Sequence, residues 1–289
     1  IGNAVGVALF IGCIKILARE RDISEAKRQI ENELNVARSI QMSMVPKIFP
    51  TFPAITQFEL HAVMRPAKEV GGDLYNFIET EGGRFCFMVG DVSGKGVPAS
   101  LFMAVAKTLL ESEARANKGQ DCSLILDRTN EGLCRDNHEC MFVTVLFGVL
   151  DIHSGEVEFC SAGHPLPFLI RRNGEISQPT GTTAMALGVM EGVPFQSQRL
   201  TLAPGDALVL YSDGVSEAFS ASGAMFGEVG LGKTLQRLAT DHQDPTAADL
   251  TRVVTAAVDA FADGAPQSDD ITTLALKYYG IEAAPVQAT

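Results

Sequence analysis

Several common functional classes are excluded by what this chain lacks. Its six cysteines, at 13, 86, 122, 134, 140 and 160, form no CxxC pair and no zinc-type spacing. That removes a zinc ribbon and a dithiol redox motif. Most of them lie in apolar runs such as RFCFMV and VEFCSAG, as reduced core residues of a cytosolic domain do. Basic excess is missing too: 23 Lys and Arg face 35 Asp and Glu, a net charge of −12. Phosphate backbones attract basic faces, so no nucleic-acid partner is expected. GDVSGKG at 90–96 lacks the GxxxxGK[ST] spacing of a P-loop, and the residues after GGDLY at 71–75 depart from the GGDEF signature of diguanylate cyclases. No Ser/His/Asp triad, cysteine nucleophile motif, internal repeat or low-complexity tract is present. With 46% hydrophobic and 20% charged residues, the 289 residues are globular, enough for one large domain and an appendage.

One long apolar run exists, IGNAVGVALFIGCIKIL at 1–17, with Lys15, Arg19, Arg21, Lys27 and Arg28 in and after it. A spanning helix needs about 20 apolar residues. Residues 1–19 are therefore expected to be the end of a transmembrane helix, whose basic flank would leave the following chain cytoplasmic. Next, Ile23, Ala26, Ile30, Leu34, Ala37, Ile40 and Met44 recur at steps of three and four. This coiled-coil-like stripe suits either a homodimer through residues 22–44 or a helix packed on its own domain. Pro46, Pro50 and Pro53 close the linker, expected over 20–53. A folded domain over 54–280 and a tail over 281–289 complete the division.

From residue 55 the pattern is strand-rich. QFELHAVMRP, DLYNFIET and RFCFMVGDV read as strands, the last two joined at EGG. VPASLFMAVAKTLLESEARA reads as a helix with Pro98 in its first turn, and Asp121 caps a second over SLILDRTNEGLCR. Hairpins are expected for MFVTVLFGVLD with GEVEFCSAG, for PFLIRR with EISQ around Asn173-Gly174, and for FQSQRLTL with DALVLYSD around Pro204-Gly205. Helices are expected near 228–240 and 245–262, the latter with Asp244 as cap and Pro245 at its first position, and DITTLALKYY is the final strand. This order predicts an α+β fold, an antiparallel sheet core with helices outside.

Four acidic segments carry the chemistry: GGDLYN at 71–76, GDVSGKG at 90–96, YSDGVSEA at 211–218 and SDDIT at 268–272. Each sets an Asp at the end of an apolar run beside a Gly or a second Asp. Mg²⁺ and Mn²⁺ prefer carboxylate, carbonyl and water oxygens, and glycine lets backbone carbonyls approach. Clustered carboxylates repel one another, and two cations remove that repulsion. Ions about 3.5–4 Å apart also lower the pKa of a shared water and clamp a phosphoryl oxygen. The residues thus read as a metal-dependent phosphoester hydrolase.

GGDLYNF, GDVSGKGVPASLFMA, MFVTVLFGVLD, SAGHPLPFLI, ALGV, GDALVLYSDGVSEA, FGEVGL and SDDITTLALK occur in that order. Together they resemble the SpoIIE-like, or RsbU-like, bacterial branch of the PPM (protein phosphatase 2C-like) serine/threonine phosphatases, over about residues 36–278. ELNVARSIQMSMVPKIFP is similar to the helix that precedes such domains. The resemblance implies an αββα sandwich of two antiparallel sheets with the metal centre at one end. It implies two or more Mn²⁺ or Mg²⁺, with Asp91 bridging two ions and the Val92 carbonyl as a ligand. Asp213 and the Asp269/Asp270 pair, Asp269 preferred, would bind the other ion, and Asp73 would act through the first. Asp73, Asp91 and Asp213 are then the catalytic set. The implied substrate is a phosphorylated anti-sigma-factor antagonist, and the anchor would sit in the bacterial inner membrane. The family often has Asp where this chain has Asn76, which keeps an oxygen and loses a charge. His164 is a candidate general acid or loop-ordering residue, and Lys95 a candidate phosphate attractor or a solvated charge. Lys68 and Arg65 read as surface charges, Met141 and Thr144 as core or helix-contact positions. The helix leaving the Asp91 loop would carry a signal from residues 22–44 to the metal site. A phosphatase-like binding module without turnover is the alternative function.

Overall fold

The computed structural model describes residues 2–47, 55–242 and 244–280. In chain order the elements are α1 (Gly2–Met44), β1 (Phe58–Arg65), β2 (Leu74–Thr80), β3 (Arg84–Val92), α2 (Val97–Ala116), α3 (Cys122–Cys134), β4 (Val143–Asp151), β5 (Glu156–Ala162), β6 (Phe168–Ile170), β7 (Ile176–Ser177), β8 (Gln198–Thr201), β9 (Ala207–Tyr211), α4 (Asp213–Ser216), α5 (Gly227–Asp241), α6 (Ala247–Ala262) and β10 (Ile271–Tyr278).

The strands form two five-stranded antiparallel sheets, ordered β1-β10-β9-β6-β7 and β2-β3-β4-β5-β8. Each has one face turned to the other sheet and one covered by helices, so the expected αββα sandwich forms. Between the sheets, Phe77, Phe85, Phe87, Leu146 and Phe159 meet Leu208, Leu210, Leu274 and Leu276. Outside the second sheet, Met88, Cys86, Phe147 and Cys160 pack on Met103, Leu110, Cys122 and Ile125 of α2 and α3. Outside the first, Val209, Tyr211 and Ala275 pack on Leu231, Leu235, Val254 and Val258 of α5 and α6. Burial on both faces explains why runs such as DALVLY lack the alternation of a half-exposed strand. Most cysteines follow their expected burial; Cys140 is exposed, and the side chain of Cys13 lies outside the described residues.

Turn chemistry accounts for the remaining geometry. Glu81-Gly82-Gly83 closes the β2–β3 hairpin, both glycines at positive φ. Asp121 caps α3 by accepting from the Leu124 amide at 3.0 Å. Two local expectations fail. The cap of α6 is Thr246, in a reciprocal box with Asp249; Asp244 instead pairs with the buried Lys277 ammonium. The expected β8–β9 hairpin does not form, because β8 pairs with β5 and β9 with β10 and β6. β9 is buried at every residue and suits a central strand, whereas β8 alternates and suits an edge. The Pro204-Gly205 turn therefore carries the chain from one sheet to the other.

The membrane expectation is corrected. No described helix is long and apolar enough to cross a membrane. α1 runs through Lys15 and Arg19 as one helix of 43 residues. The inner-membrane placement that rested on an anchor over 1–19, with its cytoplasmic orientation, falls with it. Further along α1, Ile23, Ile30 and Ile40 are exposed, and among its described side chains burial comes near the end, at Gln41, followed by the buried Val45 just past the helix. Of the expected linker prolines, Pro46 comes just after the helix end, where its carbonyl accepts from the Tyr75 hydroxyl; Pro50 and Pro53 lie outside the described residues.

The layer between the sheets is tight at Gly148, where an added Cβ would sit 2.4 Å from the Phe87 ring. Gly148→Ala should cost about 1–3 kcal/mol in urea unfolding; an unchanged midpoint would show that this layer is loosely packed.

Candidate metal centre

The sandwich brings the four acidic segments to one end. Asp73 immediately precedes β2 and Asp91 is the penultimate residue of β3; the hairpin register, Leu74 opposite Gly90, sets them side by side. From the other sheet, Asp213 comes shortly after β9, while Asp269 and Asp270 precede its neighbour β10. The glycines beside these carboxylates are steric requirements. A Cβ on Gly72 would lie 2.7 Å from the Val92 carbonyl oxygen and 3.1 Å from an Asp91 carboxylate oxygen. A Cβ on Gly71 would lie 1.9 Å from the Asp270 carboxylate, and one on Gly214 1.9 Å from the Asp270 carbonyl oxygen. No side chain fits at these points, so the loops close on one another only through glycine.

Asp270 fastens this arrangement. Its Oδ2 accepts from the Gly72 amide at 2.7 Å and the Asp73 amide at 3.3 Å, and its Oδ1 from the Ala67 amide at 2.7 Å. The carboxylate is thus occupied by the backbone of the loop that carries Asp73. Asp269, its neighbour, accepts from Lys95 Nζ at 2.8 Å and from the Asp270 amide at 2.9 Å. Lys95 also donates to the Ser268 carbonyl at 2.8 Å, tying the loop after β3 to the loop before β10.

The electrostatics are those of crowded carboxylates. Asp73 is 2% exposed and neither of its oxygens has a hydrogen-bond partner. Burial, then the charges of Asp91 and Asp270, push it well above the usual carboxylate range; the nearby Thr272 and Ser212 hydroxyls act weakly against this. Asp91 is pushed up to about 7 by burial, then by Asp213 and Asp269. Asp213 is raised by burial, then by Glu217 and Asp269. A buried carboxylate without donors is costly unless a cation lies beside it. The donor set of carboxylates with the Val92 carbonyl, and the orphaned oxygens of Asp73, fit a hard divalent ion. Among the described residues no three acidic, histidine or cysteine groups close tightly round a single point; the carboxylates form a line of neighbours, Asp73 to Asp91 to Asp213 and Asp269, rather than a cage.

The other expected site residues fall outside this line. Asn76 lies on the helix-facing side of β2, where its amide donates to Glu111 of α2 at 3.1 Å. Its exchange for aspartate therefore bears on the α2 contact. His164 is 1% exposed and shares a 2.9 Å hydrogen bond between Nδ1 and the Thr144 hydroxyl, which donates to the Asp91 carbonyl at 3.4 Å. Burial drives its pKa down to about 4. A neutral, enclosed imidazole braces the Asp91 strand and does not reach a leaving group. Arg65 grips Asp259 with both terminal nitrogens, at 2.7 and 3.0 Å, Lys68 is exposed, and Met141 packs on the α2–α3 core. One residue escaped the sequence reading. Gln41, buried near the end of α1, donates to the Gly71 carbonyl at 2.6 Å and accepts from the Gly71 amide at 3.1 Å. The signal for it was a lone amide among apolar neighbours at the end of the stripe.

An αββα sandwich with carboxylates converging from the ends of both sheets defines the class of PP2C-like proteins. The family model for stage II sporulation protein E, SpoIIE, matches residues 81–279. The chain belongs to the SpoIIE family of PP2C-fold serine/threonine phosphatases. It is 28% identical over 269 residues to Protein IcfG of Synechocystis sp., covering 84% of this chain and 41% of that protein. It is 23% identical over 246 residues to the phosphoserine phosphatase RsbU of Bacillus subtilis, covering 85% of this chain and 70% of that protein. The chain thus spans less than half the length of IcfG. Among solved structures, the SiaA-PP2C domain of Pseudomonas aeruginosa shares the fold, with a TM-score of 0.75 at 22% identity over 88% of this chain and 98% of that one.

The buried imidazole gives a pH test. In the unfolded chain His164 takes up a proton near its ordinary pKa of about 6.5, while the folded chain refuses it until about 4. The unfolded state therefore binds more protons between these values, and stability present above the upper one is lost as pH falls. From about pH 7.5 to about pH 5 the loss from this group is about 2 kcal/mol. Crowded carboxylates with raised pKa work in the opposite direction, so the test compares slopes. Urea unfolding of His164→Gln at both pH values should show a smaller loss than the parent; equal losses would mean that the imidazole is not held neutral.

Proposed function

We propose that this chain hydrolyses phosphoserine or phosphothreonine monoesters on a protein, using two or more Mn²⁺ or Mg²⁺ ions held by Asp73, Asp91, Asp213, Asp269 and the Val92 carbonyl. The observation that carries this reading is the fully buried, unpartnered Asp73 carboxylate beside Asp91. Such ions, when bound, lower the pKa of water to a useful range and polarise a phosphoryl oxygen.

The chain's own residues supply the frame for that chemistry. Asp91 feels the charges of Asp213, Asp269 and Asp270 and neighbours Asp73, which supports it as a bridging carboxylate. Asp270 is taken up by backbone amides, which favours Asp269 of the pair as the ligand. Ser212, a buried hydroxyl at the site, donates to the Asp270 carbonyl and accepts from the Thr272 amide. It is not free to attack phosphorus, which favours direct attack by water. Lys95 is the cation at the rim, its side chain 43% exposed. Exchange of its partner from Asp269 to an incoming phosphoryl group would draw substrate in. Lys95, and not His164, is then the substrate-binding residue.

The family resemblance supports a phosphorylated anti-sigma-factor antagonist as substrate, in keeping with the phosphoserine phosphatase RsbU among the relatives. The exposed Ile23, Ile30 and Ile40 of α1 support a homodimer through residues 22–44. A change in that pairing would reach the Asp73 loop through Gln41 and Gly71, a shorter route than the one through α2.

The test is hydrolysis of p-nitrophenyl phosphate and of a phosphoserine peptide, with and without Mn²⁺, by the parent, Asp91→Ala and Asp213→Ala. The parent should turn over both substrates only with metal, and each variant should lose at least about a hundredfold while keeping its circular dichroism. A folded parent inert at every metal concentration would favour the binding module.

A further inference from the structure

Beside the acidic cluster lies a second feature that the metal chemistry does not use. A cavity of about 250 Å³ opens between the α4 turn, the end of α6 and the loop before β10. Ala218, Phe219, Val258, Ala262, Pro266 and Ile271 wall it. Val258 and Ile271 are buried at its base, while Phe219 stands 42% exposed at its lip. Of the polar groups in its lining, the terminal nitrogens of Arg65 hold Asp259 while its buried Nε has no partner, and the Gln267 amide donates to the carbonyls of Arg65 and Asp269, at 2.8 and 2.7 Å. At the side facing the cluster the wall is Gly214 and Ser268, the residues next in the chain to Asp213 and Asp269.

We infer that this cavity is a subsite for one aliphatic side chain of the polypeptide that carries the phosphate, lying a few residues from the phosphorylated serine or threonine. The inference rests on the phosphatase reading and adds a substrate requirement to it. The occupant is set by position and chemistry. A polypeptide whose phosphate reaches Asp269 passes Ser268, the exposed residue next to it and part of the cavity wall. Its walls offer apolar carbon, so a leucine, isoleucine or methionine gains by entering, whereas a charged side chain would lose its hydration. Substrates are thereby sorted by one apolar residue near the phosphate as well as by the phosphate itself.

The experiment uses the full chain with Mn²⁺ and a set of phosphoserine peptides of glycine and serine only, each with a single leucine moved from three residues before to three residues after the phosphoserine. One leucine position should raise kcat/KM by about tenfold over the leucine-free peptide, the order given by burying one such side chain. Ala262→Met, which fills the cavity, and Phe219→Ala, which removes its lip, should each abolish that gain through KM and leave the leucine-free peptide unchanged. Both positions are at least partly exposed, so neither variant threatens the fold. No leucine position giving a gain, or a gain that survives both variants, would overturn the subsite. If the parent hydrolyses no peptide at all, the phosphatase reading fails instead. The subsite is then read from fluorescence polarisation of the labelled leucine peptides, which Ala262→Met should weaken, and equal binding would overturn it.

Discussion

Mutual repulsion among buried carboxylates is the constraint round which the rest of this molecule is arranged. Asp73, Asp91, Asp213, Asp269 and Asp270 stand at the ends of strands from two different sheets, and burial raises the cost of the charge on Asp73, Asp91 and Asp213. Left alone, such a group would push the loops apart or take up protons. Two devices hold it. The first is backbone: Asp270 accepts hydrogen bonds from three amides, and in accepting them it fixes the loop that carries Asp73. The second is steric: Gly71, Gly72 and Gly214 remove every Cβ that would keep those loops from closing. What remains without a hydrogen-bond partner is the buried carboxylate of Asp73, for which a divalent cation is the natural partner.

The layers outside the cluster serve its placement. Aromatic and leucine side chains between the sheets fix their separation, and helices on both outer faces let every residue of β9 and β10 be apolar or buried. Two helices then touch the site from different sides. α2 leaves directly from the loop after β3, and α1 ends with Gln41 on Gly71, one residue from Gly72 and two from Asp73. A rigid sandwich with helices attached at its acidic loops can pass a small displacement to the charges without rearranging its core.

Much of this was legible in the residues. The αββα class, the β2–β3 and β4–β5 hairpins, the Asp121 cap and the Pro98 helix start depend on local pattern and turn chemistry, and they form as the sequence suggests. The acidic segments were legible as well, since aspartate beside glycine or a second aspartate at four strand ends is a rare coincidence. What local pattern could not convey was partnership at a distance. QRLT and DALVLY flank a turn like a hairpin but belong to different sheets, a fact fixed by burial on both faces of β9. Asp244 has the spacing of a helix cap but serves the buried Lys277 instead. Residues 1–17 have the composition of a membrane segment, but the helix runs on through Lys15 and Arg19, and no described helix is long and apolar enough to cross a membrane. Asn76 sits three residues from Asp73, yet the pleat turns it to α2 and Glu111. Gln41 gave only a faint signal, because its partner is the backbone of Gly71, thirty residues away.

The central claim is that these carboxylates are built for hard divalent cations. It is tested most directly by titrating Mn²⁺ into the metal-free chain in a calorimeter, with Asp73→Asn and Asp91→Asn beside it. The account predicts two or more bound ions for the parent and the loss of at least one in each variant, with folding retained. A parent that binds no Mn²⁺ at millimolar concentration, or variants that bind as well as the parent, would contradict it.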